Sequence, residues 1–278
     1  MDSEHERRYR EQGFLVLPDF RSAAAIATIR RRADELIDAF DPSGVQAIFT
    51  TQEQQRHVDD YFLGSAQTIR CFFEEEAFDE YGQLRQAKSL SINKIGHALH
   101  DLDPVFDQFS HGADLATLAA ALGMAQPLLW QSMVICKQPG IGGEVRWHQD
   151  ATFFETTPIS VTTFWFALED AHKGNGCLWV QPGGHHGPLR ERFVRRGNVA
   201  AIEVLDETPW PELTEAIPVE VDAGTLVVLH GLLPHYSAAN RSASSRFAYT
   251  LHATDARAAY SPHNWLQRDV GFPPRGFI

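Results

Sequence analysis

The hydrophobic pattern divides the chain into two textures. In the first, Ile26, Ile29, Ala33, Leu36, Ile37 and Phe40 recur at spacings of three and four, which places them on one face of a helix. Ser22 precedes the run as an N-cap, because its hydroxyl can accept from an orphaned first-turn N–H. Asp41-Pro42-Ser43-Gly44 supplies the stop. Further helices are predicted over residues 65–75 and 115–122, the second closed by Gly123. From Pro127 onward the runs shorten: 128–137, 144–150, 161–168, 177–181, 217–221, 226–230 and 246–253 are apolar or alternating stretches between Gly, Pro and Asn clusters. Many short strands with turn signals predict a β-sandwich, barrel or jelly roll. No repeat, low-complexity tract or linker divides the chain. We therefore expect one domain over 1–278, with a mostly helical part (1–126) packed on a β core (127–278).

Composition narrows the function classes. With 278 residues, 44% of them hydrophobic, the chain can bury a large core. A formal charge of −12 argues against nucleic acid or an anionic membrane as partner. The local basic run Arg30-Arg31-Arg32 reads as a solvated helix face. Cys71, Cys136 and Cys177 are few, odd in number and form no CxxC pair. Neither a disulfide framework nor a thiolate zinc site is expected, and a reducing cytoplasm fits best. The charged opening residues cannot form a signal-peptide core, and no apolar run reaches the roughly 18 residues of a membrane span.

Chemistry concentrates in Val145-Arg146-Trp147-His148-Gln149-Asp150. On extended chain, residues i and i+2 share a face, so His148 and Asp150 converge while Gln149 turns away. A His-x-Asp pair alone is weak evidence for a metal site, and the third ligand must come from another strand. The stretch 225–235 offers His230, which ends an apolar run, and His235. If residues 237–245 form a hairpin loop turning near Asn240-Arg241, His235 and Arg246 become cross-strand neighbours. That pairing assigns the ligand to His235 and leaves His230 as a hydrogen-bonded histidine at a strand end. Two histidines and one carboxylate match the facial triad of non-haem Fe(II) oxygenases. A divalent ion so bound retains positive charge, which an α-keto acid can neutralise by chelation, with a position left for O2. The guanidinium of Arg246 suits the distal carboxylate of 2-oxoglutarate, since its fork binds carboxylates bidentately and stays charged when buried. Zinc is the rival metal, but there is no HExxH, and a zinc hydrolase has no need of Arg246. Gly140-Ile141-Gly142-Gly143 is not a phosphate-binding GxGxxG, and no Gly-x-Ser-x-Gly elbow occurs.

His148-x-Asp150, His235 and Arg246 resemble the motif of the phytanoyl-CoA dioxygenase family, and most closely its branch of phytanoyl-CoA dioxygenase domain-containing proteins. The resembling stretches run through most of the chain: Tyr61-Phe62-Leu63, residues 91–100, Gln131-Ser132-Met133, Gly142-Gly143-Glu144-Val145, residues 148–153, residues 175–179 and residues 261–267. The resemblance implies a double-stranded β-helix (a jelly roll), with Fe(II) and 2-oxoglutarate. It further implies that Lys94, Met133, Trp165 and Ser237 line the cosubstrate pocket, with Gln131 and Gln149 as weaker polar candidates nearby. One departure stands at Pro182-Gly183-Gly184-His185-His186-Gly187, where related sequences tend to have Pro-Gly-Ser-His.

The expected activity is hydroxylation of a C–H bond in a small-molecule substrate, with release of succinate and CO2. The competing expectation is a catalytically silent binding or regulatory protein on the same fold. Neither the substrate nor the oligomeric state is legible in the sequence.

Overall fold

The structure is a computed structural model that describes residues 3–43, 60–197 and 199–278. Its N-terminal part runs through α1 (Ser3–Gln12), β1 (Phe14–Leu17), α2 (Ala23–Ala39), α3 (Asp60–Leu63), β2 (Ile69–Phe73), β3 (Ile92–His97), α4 (Leu99–Leu102), α5 (Pro104–Ser110) and α6 (Ala113–Ala121). The core begins with β4 (Pro127–Lys137), β5 (Val145–His148), β6 (Thr156–Thr157), β7 (Thr162–Ala167) and β8 (Leu178–Val180). It continues through β9 (Glu191–Arg196), β10 (Val199–Val204), β11 (Ile217–Val219), β12 (Leu226–His230), β13 (His235–Ser237), β14 (Arg246–Asp255) and β15 (Ala259–Tyr260).

A seven-stranded sheet has the order β1-β12-β7-β14-β4-β3-β2, and a four-stranded sheet the order β11-β8-β13-β5. Their pairings are antiparallel. Along the core the chain alternates between them: β4 in the large sheet, β5 in the small, β7 large, β8 and β11 small, β12 large, β13 small and β14 large. This is the double-stranded β-helix expected from the sequence.

The two faces of β14 show how the layers are made. Phe247, Tyr249, Leu251 and Ala253 join the core formed with Ile29 and Ala33 of α2, Phe106 of α5 and Leu115 of α6. The alternate residues, including Ala248, Thr250 and His252, turn the other way, as the two-residue period of a strand requires. There Ala248 packs with Trp165, Val227 and Leu178 between the sheets. Both faces of β14 are covered, so all ten of its residues are buried.

Ser22 caps α2 as expected, accepting from the Ala25 N–H at 3.3 Å. That helix ends at Ala39, and Gly44 of the expected stop lies outside the described residues. The basic run is more than a solvated face. Arg30 stacks over the Phe247 ring at 3.5 Å and pairs with Glu169, and Arg32 pairs with Asp103. Both tie α2 to the body of the protein. Among the described residues no helix is long and apolar enough to cross a membrane. The three cysteines are buried and free.

Three expectations need correction. Residues 65–75 do not form a helix; a turn leads into β2, whose ladder with β3 satisfies the backbone while Cys71, Phe72 and Phe73 are buried. Packing on a preformed sheet outweighs a short helical periodicity. The N-terminal part, read as mostly helical, also contributes β1, β2 and β3 to the large sheet. Finally, residues 238–245 do not close a hairpin. β13 pairs with β5 and β8, whereas β14 pairs with β4 and β7. His235 and Arg246 therefore stand on opposite sheets, because the jelly-roll connection crosses the sandwich there.

His230 ends β12 with its Nδ1 accepting from the Leu232 N–H at 3.1 Å. Its ring lies 5.0 Å from that of His185. Burial first, and His185 and His186 second, lower its pKa from 6.5 to about 4. The unfolded chain therefore takes up this proton before the folded one does. Stability is intact above pH 6.5 and falls by about 2–3 kcal/mol as pH drops toward 4. His230→Gln is expected to flatten the slope of Tm against pH in that window, and an unchanged slope would refute the assignment.

Candidate metal centre

β5 ends at His148, and Gln149 continues extended at φ −121° and ψ 135°. Asp150 consequently returns to the face of His148 before the chain tightens into a short 3-10 turn at Asp150–Thr152. Gln149 points away. Its Nε2 donates to the Pro188 and Leu232 carbonyls, and its Oε1 accepts from the Arg190 N–H at 2.9 Å. It pins two loops behind the site rather than offering its amide to a pocket. β13 lies antiparallel beside β5 with His235 directly opposite His148, their ring centroids 4.1 Å apart.

One ligand atom each from His148, Asp150 and His235 lies within 4.8 Å of the others. Nε2 of His148 is 3.8 Å and Nε2 of His235 is 3.7 Å from Asp150 Oδ1. The backbone sets the tautomers. Nδ1–H of His148 donates to the Arg146 carbonyl at 2.8 Å, and Nδ1–H of His235 to the Leu233 carbonyl at 3.0 Å. Each ring then presents the lone pair of Nε2 to the centre. Burial, followed by the neighbouring His235, lowers the His148 pKa to about 3, so it is neutral throughout the physiological range. Burial alone would raise the Asp150 carboxyl, but His235, His252 and His148 together hold it well below the usual carboxylate range. Thr163 Oγ1 donates to Asp150 Oδ2 at 2.5 Å, which leaves Oδ1 facing the imidazoles. Two imidazole nitrogens and one carboxylate oxygen form a donor set for a divalent first-row metal.

Deeper between the sheets, Arg246 is 1% exposed. Its Nε donates to the Gly176 carbonyl at 3.2 Å and its Nη2 to Ser237 Oγ at 3.4 Å. Nη1 is buried without a hydrogen-bond partner among the described residues. Burial lowers its pKa only to about 10, so the guanidinium remains charged. Trp165 lies 5.5 Å from it, and Ser237 in turn donates to the Gly176 carbonyl at 2.8 Å. A buried cation with an unused N–H is suited to an incoming carboxylate.

The other expected residues share the inward face of the large sheet. Met133, Thr250 and Trp165 form one row across β4, β14 and β7, and Gln131, His252 and Thr163 form the next. Lys94 is on β3 opposite Ile135, 6% exposed, with Nζ 5.5 Å from the Phe62 ring and 5.6 Å from the Phe72 ring.

Residues 9–248 match the family model described as phytanoyl-CoA dioxygenase. The chain belongs to the phytanoyl-CoA dioxygenase family. Phytanoyl-CoA dioxygenase 1 of Oryza sativa subsp. japonica is 47% identical to it, covering 99% of this chain and 96% of the relative. Phytanoyl-CoA dioxygenase domain-containing protein 1 of Bos taurus is 43% identical, covering 96% of each. Among solved structures, the epimerase SnoN in complex with Fe3+, alpha ketoglutarate and nogalamycin RO has a TM-score of 0.63 at 18% identity. That alignment covers 93% of this chain and 85% of the other, and it shows the shared fold.

In this member of the phytanoyl-CoA dioxygenase family, three residues around the site escaped the reading of site residues from sequence: Thr163, His252 and Gly176. The first two are a polar pair on neighbouring strands, and nothing in the sequence links them. Gly176 lay within a stretch that resembles the family, but its task is visible only in three dimensions. It sits at φ +83°, and a Cβ there would lie 2.6 Å from the Ala238 carbonyl and 2.6 Å from Lys137 Cδ. Gly176→Ala is expected to cost about 2 kcal/mol or more, read as a fall in Tm, and to release the carbonyl that orients Arg246 and Ser237.

Proposed function

We propose that this protein is an Fe(II)- and 2-oxoglutarate-dependent dioxygenase that hydroxylates a C–H bond of a small-molecule substrate. The observation that carries the reading is a pairing. Two imidazoles with Nε2 freed by backbone carbonyls converge with Asp150 Oδ1, and the sheet opposite holds a buried arginine whose Nη1 has no hydrogen-bond partner among the described residues. The family membership and the iron and keto acid named for a structural relative support it.

In this reading His148, Asp150 and His235 hold Fe(II), and Arg246 with Ser237 takes the distal carboxylate of 2-oxoglutarate. Lys94, Met133 and Trp165 line the same cosubstrate pocket, and Gln131 lies beside it. Fe(II) with the keto acid supplies activation of O2, coupled to oxidative decarboxylation of 2-oxoglutarate to succinate and CO2. The protein's own part is positional and electrostatic. The carbonyls of Arg146 and Leu233 hold the imidazoles in the ligating tautomer, Thr163 restricts Asp150 to one free oxygen, and Trp165 shields the guanidinium from water. The acidic net charge favours neither nucleic acid nor an anionic membrane as partner, and three free thiols fit a reducing compartment such as the cytoplasm.

Anaerobic addition of Fe(II) and 2-oxoglutarate is expected to produce a weak visible charge-transfer band. Asp150→Ala should abolish it, and the same band in that variant would show the assignment to be wrong. Arg246→Ala should raise the 2-oxoglutarate concentration needed for half-maximal band intensity by about 30-fold or more, the equivalent of at least ~2 kcal/mol for a buried charged pair. Succinate formation stimulated by a candidate compound would identify the substrate. Bound iron with no succinate across a broad panel would instead favour a catalytically silent binding protein.

A further inference from the structure

Three imidazoles face the metal-side oxygen of Asp150. Nε2 of His252 lies 3.6 Å from Oδ1, as near as those of His148 and His235. The backbone distinguishes them. His148 and His235 each give their Nδ1 proton to a carbonyl two residues earlier. Nδ1 of His252 is buried and meets no hydrogen-bond partner among the described residues. A ring N–H needs an acceptor, and the one that His252 faces is the Asp150 carboxylate, opposite Nε2. His252 is therefore built as a donor, whereas its two neighbours are built as ligands. Its ring is locked in place, stacked on Phe154 at 4.9 Å and 16°. Across the ladder its partner is Thr163, which donates to the other oxygen, Oδ2, at 2.5 Å. Asp150 reaches in from the end of β5 in the small sheet, and a Thr/His pair on adjacent strands of the large sheet receives it.

We propose that His252 and Thr163 form a clamp on the metal-binding carboxylate, with His252 as a positioning residue that keeps Asp150 a one-oxygen donor and sets the affinity of the site for Fe(II). Thr163 is bonded to Oδ2 and His252 Nε2 faces Oδ1 at 3.6 Å, just beyond hydrogen-bond length, so turning the carboxylate to offer both oxygens to the metal would break the Thr163 bond and move Oδ1 away from His252. Coordination positions are thereby kept for the other occupants of the site. This rests on the Fe(II) assignment above.

The test titrates Fe(II) anaerobically into the full-length protein by calorimetry, with the Tm of the metal-free protein measured alongside. His252→Phe keeps a planar ring on Phe154 and removes the N–H. It should weaken Fe(II) binding about 10- to 100-fold, the usual range for partners that orient metal ligands, while the metal-free Tm is maintained. His252→Gln restores an N–H donor and should recover most of the affinity. The Fe(II)–2-oxoglutarate band should shift in His252→Phe and return in His252→Gln. Wild-type affinity in His252→Phe, equal losses in both variants, or a loss that merely tracks a falling metal-free Tm would each overturn the clamp. If His252→Phe does not fold, Thr163→Val compared with Thr163→Ser reads the same clamp from Oδ2, and equal Fe(II) affinities in that pair would overturn it. A wild-type protein that binds no Fe(II) removes the parent assignment as well, whereas tight wild-type binding with an unaffected His252→Phe removes the clamp alone.

Discussion

The antiparallel register of β13 against β5 is the constraint on which the site depends. It sets His235 opposite His148, and a slip of one residue would turn one of the two imidazoles to the far side of the sheet. The register is held at several points. Trp147 stacks on Tyr236 at 5.4 Å, Tyr236 donates to Glu144 at 2.5 Å, and β8 flanks β13 on its other edge. Gln149 bonds to the loops on both sides. The extended Gln149 then delivers Asp150 to the same face, so one strand pairing and one two-residue step assemble the triad.

Buried charge is the second organising theme, and each instance is compensated differently. Lys137 Nζ donates to the carbonyls of Gly143, Ser237 and Ala238, which spends its hydrogen-bonding capacity on the loops near Arg246. Burial, and then Arg246, lower its pKa to about 7. Asp101 is compensated by charge: His100, Arg268 and Arg275 surround it, outweigh its burial and bring it down to about 2. This joins α4 to the C-terminal segment. Arg246 is a buried cation whose Nη1 has no hydrogen-bond partner among the described residues. Uncompensated burial is costly, which is why the proposed function gives this guanidinium an incoming carboxylate.

The legibility of the chain varies with the range of the interaction concerned. Helix α2 and its Ser22 cap could be read because helix periodicity and capping are local. Seven core strands (β4, β5, β7, β8, β11, β12 and β14) could be read as strands, with boundaries shifted by at most two residues, because short apolar runs between turn formers leave few other conformations; β6, β9, β10, β13 and β15 were not read. Residues 65–75 misled because their conformation is set by β3, which is distant in sequence. The hairpin assumed between His235 and Arg246 was wrong in topology. Arg246 nonetheless approaches Ser237, since the two sheets face each other across a narrow interior.

Alone, the sequence determined that this is a single-chain β-rich fold with a His-x-Asp pair in ligating phase. The period of a strand is a property of the backbone and travels with the residues. His235 was favoured over His230 on an assumed neighbour and on family resemblance, and only the tertiary structure decided that it faces His148. Likewise only the fold decided that three imidazoles from β5, β13 and β14 face Asp150 Oδ1, because their strands are distant in sequence. The buried orphan N–H of Arg246 and the Thr163–His252 pair arise from contacts between segments far apart in the chain, and no local pattern of residues encodes them.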